Sequence, residues 1–275
     1  MLKQAVYPKI IYSPLEDRGL GMRRNILSLA NIATASGLGF SRRLPTYYAG
    51  VWLWPARGSW LSLVSRYDHA GAEAIRSHLR PGDIFWDIGA NEGWFSLLAE
   101  KIVGKGGCVV SVEPAPAVFS LLLANARGRG AMRAIQCGVG SADATMQFSA
   151  QGTSAAGSFV EDVTKINAAY HPEIPITPVE VQVRSMDSLR RELRAHPNLV
   201  KIDVEGFELE VLKGAAELLA NAPPKLIIEI HPPQLALSGG SEEAIFDVLG
   251  RNGFSWAVIN RDANGIYAIL AKPPK

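Results

Sequence analysis

Among the carboxylates in the first half of the sequence, two each lie at the end of an apolar run. Asp87 lies within Ile-Phe-Trp-Asp-Ile-Gly-Ala-Asn-Glu-Gly at residues 84–93, and Glu113 ends a second run about 20 residues beyond Gly93. That is the spacing expected when one nucleotide-like ligand spans two neighbouring strand ends. Glu113 is expected to face ligand or solvent, where its carboxylate can accept hydrogen bonds from both ribose hydroxyls.

The first motif differs from a dinucleotide-binding fingerprint. It reads Asp-x-Gly-x-x-x-Gly over residues 87–93, whereas proteins that bind NAD carry Gly-x-Gly-x-x-Gly. The two glycines permit a tight turn and a close approach of the backbone to a ligand. The acid that begins the motif would repel a pyrophosphate but suits an ammonium or sulfonium charge. The sequence therefore favours S-adenosylmethionine over NAD.

A second group of titratable residues follows two later strands. Asp203 and Glu205 end the segment 199–205, and Glu229 and His231 end the segment 226–231. Because ligands of open α/β sheets bind outside the carboxyl ends of strands, we expect these four side chains to converge. One of them can take the proton from a hydroxyl that attacks an activated methyl group. His231 is the preferred base, since the ordinary pKa of histidine is about 6.5.

Two other interpretations of this group stay open. Asp203 and Glu205 could cap the helix that follows them and complement its dipole. Asp203, Glu229 and His231 could supply ligands to a divalent metal, but no dedicated ligand spacing is present, so no metal ligand is predicted. Four acids and bases at two adjacent strand ends favour catalysis or substrate contact over capping alone.

The elements that must position these residues follow a regular order. From residue 66 onward helices and strands alternate, which predicts a mainly parallel sheet covered by helices on both faces. The last two predicted strands, 254–260 and 266–271, form a hairpin, so one strand runs antiparallel. Residues 141–184 interrupt the alternation with period-two runs. We interpret them as a β-rich insertion that sets acceptor choice and leaves cofactor affinity nearly untouched.

The first 65 residues do not fit the alternation. We interpret 1–65 as an extension with a packing helix and a β-hairpin formed by 51–54 and 60–64, which serves as a cap or a homo-oligomer contact. The stretch 26–35 resembles a signal peptide only loosely, because polar residues interrupt it and it lies far from Met1. No run approaches the roughly 20 apolar residues that a membrane span needs.

Composition narrows the classes of function. The chain has 275 residues, 48% of them hydrophobic, and a formal charge of +2. Such a chain can bury a full core, and its charge gives no electrostatic reason to expect a nucleic-acid partner. The two cysteines, Cys108 and Cys137, lie in predicted strands and are interpreted as core residues. That usage predicts a reducing, cytoplasmic location.

Together these segments resemble the FkbM family of S-adenosylmethionine-dependent methyltransferases. The resemblance covers roughly residues 66–233 and rests on the segments 82–93, 112–114, 185–189, 200–214 and 227–232. Its most specific part is Lys-Ile-Asp-Val-Glu-Gly-Phe-Glu at 201–208, combined with Glu-Ile-His at 229–231. The resemblance implies that the cofactor is held by Asp87, Gly89, Asn91, Gly93, Glu113, Gly138 and Val139, the last two near its adenine.

The resemblance completes the expectations for fold and function. We expect an α/β fold with a Rossmann-like methyltransferase sheet, mainly parallel with an antiparallel C-terminal hairpin strand. The methyltransferase domain covers 66–275, with the insertion at 141–184. Members of the family commonly act on hydroxyls, which implies O-methylation of a sugar, glycan or other small-molecule acceptor, with Asp203, Glu205 and His231 as catalytic residues. An NAD(P)-dependent oxidoreductase and a non-catalytic methyltransferase-like binding module are the alternatives.

Overall fold

A seven-stranded sheet organises the part of the chain that the structure describes. This computed structural model describes residues 46–48, 51–53, 67–152, 157–168 and 174–274. The strands are β1 Thr46–Tyr48, β2 Val51–Leu53, β3 Ile84–Ile88, β4 Cys108–Val112, β5 Met132–Ile135, β6 Gly138–Val139, β7 Ala144–Ala150, β8 Thr177–Arg184, β9 Leu199–Ile202, β10 Lys225–Ile230, β11 Ser255–Arg261 and β12 Tyr267–Lys272. The helices are α1 Tyr67–His78, α2 Trp94–Val103, α3 Pro116–Ala126, α4 Glu161–Ala168, α5 Met186–Leu193, α6 Glu208–Lys213, α7 Ala216–Asn221, α8 Pro232–Leu237 and α9 Glu242–Arg251.

The strand order of the large sheet is β11-β12-β10-β9-β3-β4-β5. β3, β4, β5, β9 and β10 run parallel to one another, and β12 is antiparallel to both of its neighbours. This confirms the predicted mainly parallel sheet with an antiparallel hairpin strand. The chain winds from β3 towards β5 and then crosses to β9 on the other side of β3. The carboxyl ends of β3, β4 and β9 therefore border the crevice where open α/β sheets bind ligands.

Two apolar layers hold the sheet between helices. Trp86 and Ile88 of β3 belong to one buried cluster. Phe85, the residue before Trp86, belongs to the cluster on the opposite face of the sheet. This division follows from the alternation of side chains along a strand. All four residues of β9 are buried, and all except Lys201 are apolar. Burial on both faces is typical of central parallel strands.

Two strands of the insertion, β7 and β8, form a small sheet with β6, which precedes the insertion, in the order β6-β8-β7. Two of the three period-two runs are thus strands, and they pair antiparallel. The strand expected around Ser158 and Val160 is wrong: Ser158 makes only an isolated bridge with Ser149, and a helix begins at Glu161. Acids in the first turn of α4 and the ion pairs of Lys165 with Glu161 and Asp162 favour the helix.

The helix expected over 207–219 is divided into α6 and α7. Gly214 lies between them, and a Cβ there would stand 2.0 Å from the carbonyl oxygen of Gly140. The carboxylate of Asp187 accepts hydrogen bonds from the backbone amides of Glu217 and Leu218, which caps the start of α7. The break between the helices thus lets the backbone at Gly214 approach the backbone at Gly140. Asp187 supplies the hydrogen-bond acceptor that the first amides of α7 need.

Most of the N-terminal extension lies outside the described residues, including its expected helix and the expected strand at 60–64. β2 lies within the predicted hairpin, but it pairs with β1 at Thr46–Tyr48, a partner that the sequence did not predict. Within the described ranges, none of the helices combines the length and the apolar character that crossing a membrane requires.

Candidate active site

Glu113 lies directly after β4 and organises the turn that follows β3. Its Oε2 accepts a hydrogen bond from the Asn91 amide at 2.9 Å, and its Oε1 accepts one from the Ala115 amide at 3.0 Å. Asn91 has a positive φ of 51°, which turns its amide towards the carboxylate. Glu113, expected to face ligand or solvent, is only 7% exposed, and its carboxylate also supports the backbone of the turn. Burial raises the pKa of Glu113 to about 7, although the two amide hydrogen bonds oppose the rise.

Gly89 brings the end of β3 against the end of β9. Its φ is +77°, and a Cβ at this position would lie 1.8 Å from the carbonyl oxygen of Asp203. Gly93 also has a positive φ, and its Cβ would lie 2.6 Å from Leu122 of α3. Gly89 therefore allows two strand ends to meet at the crevice, whereas Gly93 allows the start of α2 to pack against α3.

An open cleft with an empty volume of about 660 Å³, its mouth included, lies at these strand ends. Five of the seven residues predicted to hold the cofactor line it: Gly89, Asn91, Glu113, Gly138 and Val139. Asp87 and Gly93 are not among its lining residues.

Asp87 lies beneath the turn rather than at the surface of the cleft. It is fully buried, and its Oδ2 accepts a hydrogen bond from the Ser96 hydroxyl at 2.6 Å, which in turn accepts one from Ser111 at 2.7 Å. Burial raises the pKa of Asp87, and the ammonium of Lys201, 3.9 Å from Oδ1, partly offsets that rise. Asp87 thus supports the cleft from below, through α2 and β9.

The insertion supplies one wall of the same cleft. Phe148, Gly157 and Phe159 line it together with the predicted cofactor residues. A Cβ on Gly138 would lie 2.2 Å from the Phe159 ring, and the Phe148 and Phe159 rings meet edge to face with centroids 5.0 Å apart. The sequence predicted that the insertion shapes a pocket, but it did not predict contact with the cofactor side.

The four predicted groups at the ends of β9 and β10 do converge. Nε2 of His231 lies 3.5 Å from Glu229 Oε1, 3.7 Å from Glu205 Oε2 and 3.9 Å from Asp203 Oδ1. Asp203 and Glu205 line the cleft, whereas His231 is only 2% exposed and is not a lining residue. Asp203 and Glu205 therefore border the cleft, and the imidazole of His231 lies behind them.

Glu208, which the sequence analysis assigned no role, fixes the imidazole. It is fully buried, and its Oε1 lies 2.8 Å from His231 Nδ1 and accepts a hydrogen bond from the Gly206 amide at 2.9 Å. Burial by itself lowers the pKa of His231, but the carboxylates of Glu205, Glu208 and Glu229 raise it well above the ordinary value. A ring that is buried and surrounded by acids is poorly placed to take a proton from the cleft. The choice of His231 as the first candidate base does not fit this geometry.

Lys201 favours the charged form of Asp203, and the local backbone conformation orients Glu205. Burial would raise the pKa of Asp203, but the ammonium of Lys201, 2.9 Å from Oδ2, and His231 outweigh it and lower the pKa. Glu205 has a positive φ of 50° next to Gly206 at 97°, and burial raises the pKa of Glu205 to about 7. The sequence placed Lys201 on the same side of the strand as Asp203 but gave it no function.

Comparison with known proteins identifies this arrangement. The family model described as the methyltransferase FkbM domain matches residues 87–255, which contain both strand-end groups. The chain belongs to this family. It is 33% identical over 181 residues to the 31-O-demethyl-FK506 methyltransferase FkbM of Streptomyces tacrolimicus, covering 58% of this chain and 69% of that protein.

Other relatives share shorter or more distant similarity. The hexuronic acid methyltransferase AglP of Haloferax volcanii is 29% identical over 150 residues, covering 54% of this chain and 56% of that protein. The crystal structure of methyltransferase FkbM from Methylobacillus flagellatus superposes with a TM-score of 0.45 at 16% identity, covering 73% of this chain and 50% of that one. The family membership establishes this chain as a methyltransferase.

Proposed function

We propose that this methyltransferase uses S-adenosylmethionine and transfers its methyl group to a hydroxyl of a sugar, glycan or other small-molecule acceptor. The observation that carries the proposal is a single cleft lined both by Glu113 at the end of β4 and by Asp203 and Glu205 after β9. One end of the cleft thus suits a ribose, and the other carries acids that suit a cationic sulfur and a hydroxyl.

The described residues fit this cofactor. A carboxylate offers about four acceptor positions, and two of those on Glu113 are taken by the amides of Asn91 and Ala115, which leaves two for vicinal hydroxyls. Gly89 and Gly138 line the cleft without side chains of their own, and Val112, Cys137 and Val139 give an apolar surface for a nucleobase. When bound, the cofactor supplies an electrophilic methyl group.

The residues of the acceptor side act on the attacking hydroxyl. Asp203 and Glu205 line the cleft, so an acceptor hydroxyl there donates its hydrogen bond to one of them. That carboxylate takes the proton as the new C–O bond forms and the methyl–sulfur bond breaks, which leaves the cofactor's sulfur as a neutral thioether. His231 holds the two carboxylates from behind, and Lys201 holds Asp203. In this proposal Asp203 and Glu205 are catalytic residues and His231 is a positioning residue.

The names of the relatives support the class of acceptor. One relative is named for 31-O-demethyl-FK506 and another for a hexuronic acid. The first name refers to an oxygen that lacks its methyl group, and the second to a sugar acid. We infer a cytoplasmic location as well, supported by two free thiols, Cys108 and Cys137, in a chain that contains no other cysteine.

The test is methyl transfer from isotopically labelled S-adenosylmethionine to a panel of free sugars, uronic acids and polyol natural products. We expect one class to gain a single methyl group on oxygen, located by fragmentation in the mass spectrometer. Binding of the cofactor without transfer to any acceptor would favour the non-catalytic binding module. Binding of NAD in preference to S-adenosylmethionine would favour the oxidoreductase.

A further inference from the structure

We propose that the ends of β9 and β10 form a binding site for a divalent metal ion, with His231 Nε2 and carboxylate oxygens of Asp203 and Glu205 as ligands and Glu229 at its edge. The ligand atoms of the first three residues all lie within 4.8 Å of one another. The set joins one imidazole nitrogen to carboxylate oxygens, which is the donor chemistry of ions such as Mn²⁺.

The distances around Nε2 fit a shared ion better than hydrogen bonds. The three carboxylate oxygens lie 3.5, 3.7 and 3.9 Å from Nε2. Hydrogen bonds between charged nitrogen and oxygen groups are about 2.7–2.9 Å long. Ligand atoms that are each about 2.0–2.2 Å from one ion lie about 3–4 Å apart. The three distances from Nε2 therefore match those between ligand atoms of a common ion.

The surroundings of the imidazole are an independent indication. His231 is only 2% exposed, and its Nδ1 lies 2.8 Å from the fully buried carboxylate of Glu208. In the tautomer that donates from Nδ1 to Glu208, the lone pair of Nε2 points at the three carboxylates. Ligating histidines characteristically donate their second nitrogen to a carboxylate in this way. Either a proton on Nε2 or a metal ion between Nε2 and the carboxylates would satisfy this arrangement, and the distances of 3.5–3.9 Å favour the ion.

The charges of the group also call for a cation. Glu205, Glu208, Glu229 and Asp203 all have oxygens within 4 Å of the His231 ring nitrogens. Lys201 contacts Oδ2 of Asp203 and leaves Oδ1 directed towards His231. A divalent ion would offset the excess of negative charge at the position where the oxygens meet.

The position of the site gives it a role that rests on the proposed function. Protein ligands would surround the ion on the side of His231, and the cleft that Asp203 and Glu205 line would leave its other side open. An acceptor hydroxyl bound there would be oriented and made more acidic. Glu205, bound through Oε2, would keep its second oxygen for the acceptor's proton.

The experiment titrates Mn²⁺ into the full chain after EDTA has removed any bound metal. The electron paramagnetic resonance signal of free Mn²⁺ and the heat measured by calorimetry report binding, and Mg²⁺ and Zn²⁺ are titrated by calorimetry in parallel. We expect one site for at least one of these ions. Glu205→Gln and Asp203→Asn, whose side chains are about a quarter exposed, should fold and lose at least about tenfold in affinity. Glu208→Gln should weaken binding by about 10–100-fold through the imidazole.

Glu113→Gln is the matched control, since it removes a carboxylate from the cofactor end of the same cleft. It should keep the metal affinity of the parent and lose affinity for S-adenosylmethionine. Failure of the parent to bind any of the three ions, or equal affinity in the parent and the Glu205→Gln and Asp203→Asn variants, would overturn the site. Because cofactor binding is titrated separately, rejection of the metal site and rejection of the proposed function are distinct results.

Discussion

Substitution of Glu113 by glutamine tests the cofactor end of the cleft with little change of shape. The carboxylate accepts amide hydrogen bonds from Asn91 and Ala115, one on each oxygen. A glutamine has one carbonyl oxygen and so can accept from only one of them, while its NH₂ group meets the other donor. One buried amide then lacks an acceptor, which costs about 1–3 kcal/mol in the free energy of unfolding.

The cost to cofactor binding follows from the same chemistry. A hydrogen bond to a charged group is worth about 1.5–3 kcal/mol. Because about 1.4 kcal/mol corresponds to a factor of ten, the Kd for S-adenosylmethionine should rise by about 10–150-fold. Calorimetric titration at pH 8 measures this change, and urea unfolding measures the stability.

Glu100→Gln is the matched control for this variant. Glu100 is a partly buried carboxylate of α2 that pairs with Arg129 at 3.1 Å, and it is not among the residues that line the cleft. It should leave the cofactor Kd unchanged. If Glu113→Gln binds S-adenosylmethionine as tightly as the parent does, the assignment of the ribose position is refuted.

Four further results are expected. Because the pKa of Glu113 is raised to about 7 and the ionised form is the better acceptor, the affinity for S-adenosylmethionine should rise about tenfold from pH 6 to pH 8, and titration of the parent across that range checks it. Gly89→Ala should lower the free energy of unfolding by at least about 2 kcal/mol, and by more than Gly82→Ala, which has a similar φ but open space around it; urea unfolding compares them. Glu205→Gln should lower turnover by about 10²–10⁴-fold with little change in cofactor Kd, and equal turnover would remove it from catalysis. Phe159→Ala should weaken cofactor binding by about 0.5–1.5 kcal/mol, measured by calorimetry, whereas the sequence predicted that changes in the insertion leave this affinity nearly untouched.

Patterns along the sequence were sufficient to predict the sheet and the convergence of the strand-end residues. β3, β4 and β9 are short apolar runs followed by Gly89, Glu113 and Asp203, so their ends could be located from residue types alone. Once the strands were taken as parallel, Asp203 and His231 had to meet at one edge. The hairpin at Asn264-Gly265 similarly predicted the antiparallel β12.

What the sequence could not predict depends on packing between distant segments. Asp87 was expected at the cofactor, but it is buried and accepts a hydrogen bond from Ser96 of α2. The Ser96 hydroxyl in turn accepts a hydrogen bond from Ser111 of the neighbouring strand β4. The role of Glu208 was missed because its partner, His231, lies 23 residues away and the two meet only after β10 forms. A local pattern predicts which face a side chain occupies, but not whether a second element covers it.

A crystal structure of the full chain with S-adenosylhomocysteine would show directly whether this cleft binds the cofactor. We expect both ribose hydroxyls within hydrogen-bond distance of the Glu113 carboxylate, and the sulfur on the side of Asp203 and Glu205. The base should contact the wall formed by Cys137, Gly138 and Val139. A nucleoside bound elsewhere, or bound in the cleft with its ribose away from Glu113, would refute the assignment of the cleft.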